Sequence, residues 1–400
     1  MILDLAFTGI LLGIVLFSRV LPLVVRHDLL CLLGLIGLYL YAPVSAWILN
    51  GFVLLGSHLW LRRRNQFFYG FYGFWGLWIL LFWALSFKPV LIGRFEPIYF
   101  LTYNLQRILH FIIEDHKGKM RTSTLRSFWH YSFLMPLLLG TVEWFHDYYS
   151  TYKRKVLPIL WKEGFSGLGK AFLKCYLAAY LLVYFVEPVF TVKEQDLFLT
   201  ENFALIFMAV VSVGISFTLN VWGTFDLARA LMAFLGYRLE RRIFGPVWKA
   251  KSVIEFWSNW NIPVVVFVRE YIYIPFITLF SQQWKKALVF VILLMWMHQS
   301  LLHGSLWAYC NFLAIYMQIR WTEYKAYRPD IKRLYDRFVP VFIRRLATLS
   351  FIGLISVIWP LGSTEGFFLI LYNIPILAWE VLYSVTAYIA NLILLPLQLV

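Results

Sequence analysis

Long apolar stretches recur along almost the whole chain, and no polar stretch between them is long enough to fold into a soluble domain. They lie near 5–18, 29–61, 67–87, 89–113, 128–149, 170–186, 203–236, 262–280, 287–318, 338–360 and 367–398. Only 14% of the 400 residues are charged, against about a quarter in soluble domains. The sequence therefore predicts one integral membrane domain over 1–400, an all-α, polytopic transmembrane bundle with about ten or eleven membrane-embedded elements.

Basic residues form short clusters between the apolar stretches, as in the cytoplasmic loops of multi-pass membrane proteins. We expect the cluster from Arg238 to Lys251 to be cytoplasmic and the acidic segment from Glu187 to Glu201 to lie on the opposite side. The net charge of +15 has no exposed basic domain to carry it, so we expect no nucleic-acid partner. The predicted location is a cell membrane, in contact with lipid.

Basic clusters also flank both ends of the stretches 128–149, 262–280 and 287–318. Each of these elements must therefore return to the cytoplasmic side or break the charge bias. Non-helical backbone at membrane depth is tolerated only where it is buried in protein or lines a wet cavity. We expect some broken or re-entrant helices and a central cavity or tunnel in the second half of the chain.

Two motifs that suggest cofactors are incomplete. Gly164 to Lys170 has the glycine and lysine spacing of a phosphate-binding loop, but Ala171 replaces the magnesium-binding hydroxyl residue. We expect an interfacial loop there. Glu143 and His146 have the spacing of two metal ligands on one helix face, but a second copy is missing. No metal or nucleotide cofactor is expected.

The most informative region is 251–316, where polar and aromatic side chains crowd an apolar stretch. Polar groups buried in a membrane need partners and usually mark function. A belt of aromatic residues at the lipid interface would explain the tryptophans and tyrosines but not Asn261 or Arg269. The side chains concerned in the first half of the region are Trp257, Trp260, Asn261, Arg269, Glu270 and Tyr271.

Two histidines, His298 and His303, lie near the middle of the apolar run 287–316. Each helical residue advances roughly 100°, so side chains five positions apart diverge by about 140° and cannot share a metal. From position alone, a histidine at this depth is either a satisfied structural group or a catalytic or proton-handling group.

Three blocks of this region resemble the signature of the membrane-bound O-acyltransferase family. Glu255–Pro263 reads E-F-W-x-x-W-N-I-P, Arg269–Tyr273 reads R-E-Y-I-Y, and His303–Trp307 reads H-G-x-x-W. The resemblance is strongest over 100–360, and residues 1–90 match only in being hydrophobic.

Two upstream segments are also similar to members of this family. In 220–237, Asp226, Ala228, Gly236 and Tyr237 fit a motif of the family, and Gly223 matches its central glycine. The segment 104–136 is similar to the bacterial branch that contains the D-alanyl-lipoteichoic acid acyltransferases and the alginate O-acetylation proteins. Asn261 departs from that branch, which has histidine there, and Leu302 replaces a tryptophan.

The resemblance implies transfer of an acyl, acetyl or aminoacyl group from a thioester donor, either acyl-CoA or an acylated carrier protein, to a hydroxyl. It implies that His303 is the general base and that Asn261 holds the acyl carbonyl or the acceptor hydroxyl. The residues it places along the substrate tunnel or in support of it are Trp257, Trp260, Arg269, Glu270, Tyr271, Asp226 and Trp307.

The acceptor implied by the bacterial branch is a glycan or polymer of the cell envelope, and the membrane is then the bacterial cytoplasmic membrane. An extracytoplasmic partner acyltransferase or esterase would fit such a substrate. A lipid alcohol is the alternative acceptor, which Asn261 with Pro263 favours. A membrane transporter is the alternative of a different class, because broken helices and a midplane histidine suit it equally well.

Overall fold

A computed structural model of the protein describes residues 5–41, 51, 106–108, 110–111, 114, 125–138, 145–154, 157–187, 203–239, 243–274 and 303–356. The α-helices are α1 (Leu5–Ser18), α2 (Leu23–Tyr41), α3 (Leu125–Phe133), α4 (Met135–Leu138), α5 (Phe145–Tyr152), α6 (Trp161–Leu181), α7 (Phe203–Phe234), α8 (Val253–Asn259), α9 (Ile262–Phe267), α10 (His303–Tyr327), α11 (Pro329–Phe338) and α12 (Val341–Ser356). Two π-helical segments (Leu182–Val186 and Val268–Tyr273) and one 3₁₀ turn (Val247–Lys249) complete these elements. No strand occurs in this described part, so the all-α prediction is confirmed there.

Two of the described helices are long and apolar enough to cross a membrane, Trp161–Val186 and Met208–Phe234. A third candidate is the pair Pro329–Phe338 and Val341–Ile355, whose axes are bent by 85° at the break between them. Together they agree with the prediction of a membrane protein. The stretches 67–87 and 367–398, and most of 89–113, lie outside the described residues.

Helices α6 and α7 pack closely because glycines face the partner helix. A Cβ atom on Gly167 would lie 2.9 Å from the Cβ of Ala230, and one on Gly223 would overlap the Sγ of Cys175. Small residues let two membrane helices approach to backbone contact. The loop predicted at 164–170 is therefore wrong, because these residues continue α6 and two of their glycines serve helix packing.

Helix α7 ends in a glycine cap, and the side chain of the next residue, Tyr237, lies in the core. Gly236 has φ of +92°, a conformation that favours glycine. Its amide donates to the carbonyl of Ala233, and the amide of Tyr237 donates to the carbonyl of Met232, both at 2.9 Å. These two bonds satisfy carbonyls at the helix end. Tyr237 is consequently fully buried.

Buried apolar residues form two clusters. The first cluster joins the five helices α1–α5 with the last turns of α7. Arg19 holds the end of α7 in place there, because it donates to the carbonyls of Leu235 and Leu157. The second joins the middle of α7 with α8, α10 and α12 around Phe256, Trp257 and other aromatic rings. Each cluster supports one of the polar sites described below.

Candidate functional site

The turn between α8 and α9 carries the central residues of the first motif block. Ser252 caps α8, because its Oγ accepts from the amide of Glu255 at 3.1 Å. The Glu255 carboxylate accepts in turn from the amide of Lys251 at 2.9 Å, so the two side chains satisfy donors reciprocally. Helix α8 ends at Asn259, and α9 begins at Ile262.

A neighbouring segment holds this turn in place. The amide of Ile262 donates to the carbonyl of Ile243 at 2.7 Å, and the amide of Gly245 donates to the carbonyl of Asn259 at 2.8 Å. A Cβ on Gly245 would overlap the side chain of Asn259. Backbone contact on both sides therefore leaves the turn little freedom.

Asn261 occupies an unusual position inside this turn. Its φ of +40° places it in the left-handed region, which asparagine tolerates better than most residues. The side chain is only 2% exposed, and its Oδ1 has no hydrogen-bond partner in the described part of the chain. An unpaired buried carbonyl costs about 1–3 kcal/mol. The Oδ1 of Asn261 is therefore a candidate acceptor for a hydrogen bond from a bound ligand.

A buried hydrogen bond joins this turn to α10. Trp257 donates through Nε1 to the Oδ1 of Asn311 at 2.8 Å. Trp260 stacks on Phe256 with ring centroids 5.6 Å apart, which fixes the second tryptophan of the motif beside the first. Asn311 lies on the helix that His303 begins, so the block E-F-W-x-x-W-N and the block H-G-x-x-W are linked through neighbouring elements.

The structure describes His303 and Trp307 as part of the backbone of α10, and their side chains lie outside the description. His298 lies outside the described residues altogether. His303, Trp307 and Asn311 follow each other at intervals of four on α10, so they share one face of the helix. The contact of Asn311 with Trp257 therefore lies on the face of α10 that also carries positions 303 and 307.

Past α9 the chain continues as the π-helical segment, which separates three predicted site residues. Arg269 and Glu270 are exposed and pair with each other at 3.3 Å. Tyr271 is buried, donates to a carboxylate oxygen of Glu114 at 2.8 Å, and lies edge-on to His110 at 5.5 Å. Short π-helical segments within helices are frequent at functional sites, and this one turns only Tyr271 of the three inward.

Asp226 lies on α7, where it pairs with Lys174 of α6. The Nζ of Lys174 also lies 3.9 Å from the ring centroid of Trp222. Asp226 lines a cleft of about 690 Å³ between α6 and α7. A second cavity, of about 860 Å³, lies between α10, α11 and α12. None of the predicted site residues whose side chains are described lines that larger cavity.

A partly buried polar network near α2 was not predicted from the sequence. His130 contacts Asp28 through Nε2 at 2.6 Å and the hydroxyl of Tyr152 through Nδ1 at 3.0 Å. His27 contacts the hydroxyl of Tyr237 through Nε2 at 2.7 Å. The two imidazoles stack with ring centroids 5.3 Å apart. Two histidines, a carboxylate and two phenols therefore lie in continuous contact.

Two members of this network precede the apolar run that starts at residue 29, and their surroundings shift their pKa values. Burial lowers the pKa of His27 to about 4, so its imidazole is neutral at physiological pH. Burial raises the pKa of Asp28, but hydrogen bonds from Arg126 and His130 outweigh it and hold that pKa below its usual value. The adjacent Arg-His-Asp between two apolar runs was the sequence signal for this network.

The described residues contain no group of three or more histidine, cysteine, aspartate or glutamate side chains placed to hold a metal ion. Glu143, one of the two residues with metal-ligand spacing, lies outside the description, as does the side chain of His146. Comparison of the sequence with models of known protein families finds no match, and comparison with curated proteins finds none either.

Proposed function

We propose that the protein is a membrane-bound O-acyltransferase whose active site is formed by the α8–α9 turn and the first turns of α10. The observation that carries this proposal is the hydrogen bond from Trp257 to Asn311, because it joins the first motif block to α10, the helix that begins with the second block. The buried Oδ1 of Asn261, which has no partner among the residues that the structure describes, supports it, since that oxygen can accept from a donor such as a substrate hydroxyl.

In the proposed reaction His303 acts as the general base. A hydroxyl is a poor nucleophile at neutral pH, so its proton must leave as the oxygen attacks the thioester carbonyl. His303 takes that proton, the new C–O bond forms, and the C–S bond breaks. The leaving thiolate then receives the proton from His303. Asn261 accepts a hydrogen bond from the hydroxyl before attack and so orients it.

The other predicted site residues take supporting roles. Trp257 and Trp260 fix the turn, and Tyr271 joins it to Glu114 on the segment that resembles the bacterial branch. Trp307 follows His303 one helical turn later and walls the same face of α10. We assign Arg269 and Glu270 to the rim of the tunnel, and Asp226 to the contact between α6 and α7.

The proposal extends to the whole chain over 1–400. About ten or eleven membrane-embedded elements enclose the tunnel, and the protein lies in a bacterial cytoplasmic membrane. The donor is an acyl-CoA or an acylated carrier protein, which reaches the tunnel from the cytoplasm. The acceptor is a hydroxyl of a cell-envelope glycan or polymer, with an extracytoplasmic acyltransferase or esterase as partner. No cofactor is required.

The test is thioester turnover by purified full-length protein, with acetyl-CoA and a longer acyl-CoA as probes and release of free thiol as readout. His303→Ala should still bind the acyl-CoA but lose turnover by about 10²–10⁴-fold, the usual contribution of a general base. His298→Ala is the matched control, because its side chain diverges by about 140° on a helix and should lose far less.

Two results would contradict the proposal. Near-normal turnover in His303→Ala would remove the base and with it the reaction assigned to this site. Wild-type protein that neither binds nor cleaves any acyl-CoA or acylated carrier protein would favour the alternative of a membrane transporter.

A further inference from the structure

The cleft between α6 and α7 is rich in basic side chains. It lies between the first turns of α6 and the last turns of α7, and its volume of about 690 Å³ is within the range of small-molecule sites. Gly167 and Ala230 bring the two helices together along one wall of the cleft. The charged residues that line it are Lys162, Glu163, Lys170, Asp226, Arg229 and Arg238.

Most of the negative charge in the cleft is already neutralised. Asp226 pairs with Lys174, and Glu163 lies 3.9 Å from Arg238. Lys162 and Lys170 are exposed, and no described carboxylate pairs with either of them.

A third cation shares the cleft with these lysines. Arg229 donates one hydrogen bond to the carbonyl of Leu239, and a guanidinium has five N–H donors, so the others remain for a ligand. Three cations of the cleft, Lys162, Lys170 and Arg229, therefore lack a compensating anion among the described residues.

The cleft also lies where one candidate membrane span begins and the other ends. Trp161 begins the span of α6 and Phe234 ends that of α7. Trp161 and Phe165 are 49% and 58% exposed, and their rings stack beside the cleft with centroids 5.8 Å apart. Exposed aromatic rings of this kind favour the interface between lipid and water. A ligand of the cleft therefore binds at the membrane surface.

We propose that this cleft binds a phosphate ester presented at the membrane surface, held by Lys162, Lys170 and Arg229. Lys162 and Lys170 lie about two turns apart on α6, Arg229 lies on α7, and all three line the same cleft, where cations match the charge and the acceptor oxygens of a phosphate. Two ligands carry this group to such a position, the headgroup of an anionic phospholipid and the phosphates of a coenzyme A donor. The coenzyme source rests on the proposed acyltransferase function, whereas the phospholipid source does not.

The experiment measures binding to the full-length protein in phosphatidylcholine nanodiscs. Coenzyme A is added in one arm, and phosphatidylglycerol is incorporated in the other. The affinity is read from ligand-induced thermal stabilisation. In Lys162→Gln/Lys170→Gln the affinity should fall about 25-fold, roughly fivefold for each lysine near a membrane surface. The control Lys332→Gln/Arg333→Gln, which removes two exposed basic residues of α11, should bind as the wild type does.

Each outcome decides between the alternatives. A response to phosphatidylglycerol that is lost in the cleft variant identifies a lipid headgroup, and a response to coenzyme A that is lost there identifies the donor. The phospholipid result stands even if acyl transfer fails its own test, whereas binding of coenzyme A would then show a phosphate site without showing a donor. The proposal is overturned if neither probe binds, if the cleft variant binds like the wild type, or if the control loses as much. Lys162→Arg/Lys170→Arg must retain the affinity, because it keeps the charge.

Discussion

Removing the hydrogen bond between Trp257 and Asn311 should uncouple the two motif blocks. Trp257→Phe deletes the Nε1 donor and leaves a buried Oδ1 without the bond that it accepts at 2.8 Å. Removing one partner of a buried hydrogen bond costs about 1–3 kcal/mol. The smaller ring also vacates space in the aromatic cluster around Phe256, so we expect the upper half of this range for stability.

The effect on catalysis should exceed the effect on stability. If the bond sets the face of α10 on which His303 lies, its loss displaces the base, and about 1 Å of misplacement costs roughly 10²-fold in rate. The assay is a double-mutant cycle of Trp257→Phe and Asn311→Leu, with thermal unfolding and acyl-CoA turnover as the two readouts. The double variant should recover part of the stability but not the rate. Turnover that stays within about twofold of wild type in all variants would refute the coupling.

Two further predictions concern the first core. Gly236→Ala should lower stability by about 1–3 kcal/mol, because alanine disfavours φ of +92° and its Cβ would lie 2.6 Å from that of Leu157; thermal unfolding checks this. His27 has a pKa near 4 in the fold against an ordinary value of 6.5, so the unfolded chain takes up the proton first as pH falls. The contribution of His27 is complete above pH 6.5 and is lost towards pH 4, by up to ~3 kcal/mol, and His27→Gln should show a shallower pH dependence of the unfolding temperature.

Two apolar runs of the sequence predicted helices correctly over most of their length. The run 203–236 corresponds to α7 at Phe203–Phe234, and the run 5–18 corresponds to α1. The run 128–149 instead overlaps the short helices α3, α4 and α5, with Pro136 at the start of α4. The start of α6 was missed because the glycines of 164–170 read as loop residues. A glycine's role depends on the neighbouring helix, which local sequence does not contain.

The first motif block was predictable as a local unit, since Trp257, Trp260 and Asn261 lie within one turn of chain. The network of His27 and His130 was not, because its contacts join residues 102 and 210 positions apart. A polar residue between two apolar runs can be recognised in the sequence, but the sequence does not show which residue it contacts. Only the fold shows that one of these partners is the tyrosine that follows the glycine cap of α7.

Tyr237 belongs to the upstream segment that resembles the family, and its role there is structural. In 220–237 the residues that match the family have structural roles. Gly223 allows α6 to approach and Asp226 pairs with Lys174 of α6, while Gly236 ends α7 and Tyr237 is hydrogen-bonded to His27. These roles would be needed in any protein with this helix pair, whatever its chemistry. The turn at Asn261 is different, because its buried oxygen has no partner among the described residues, and at positive φ this weakens the fold unless a ligand compensates. The functional proposal therefore depends on the α8–α9 turn and on the helix that His303 begins, and experiments on those elements decide it.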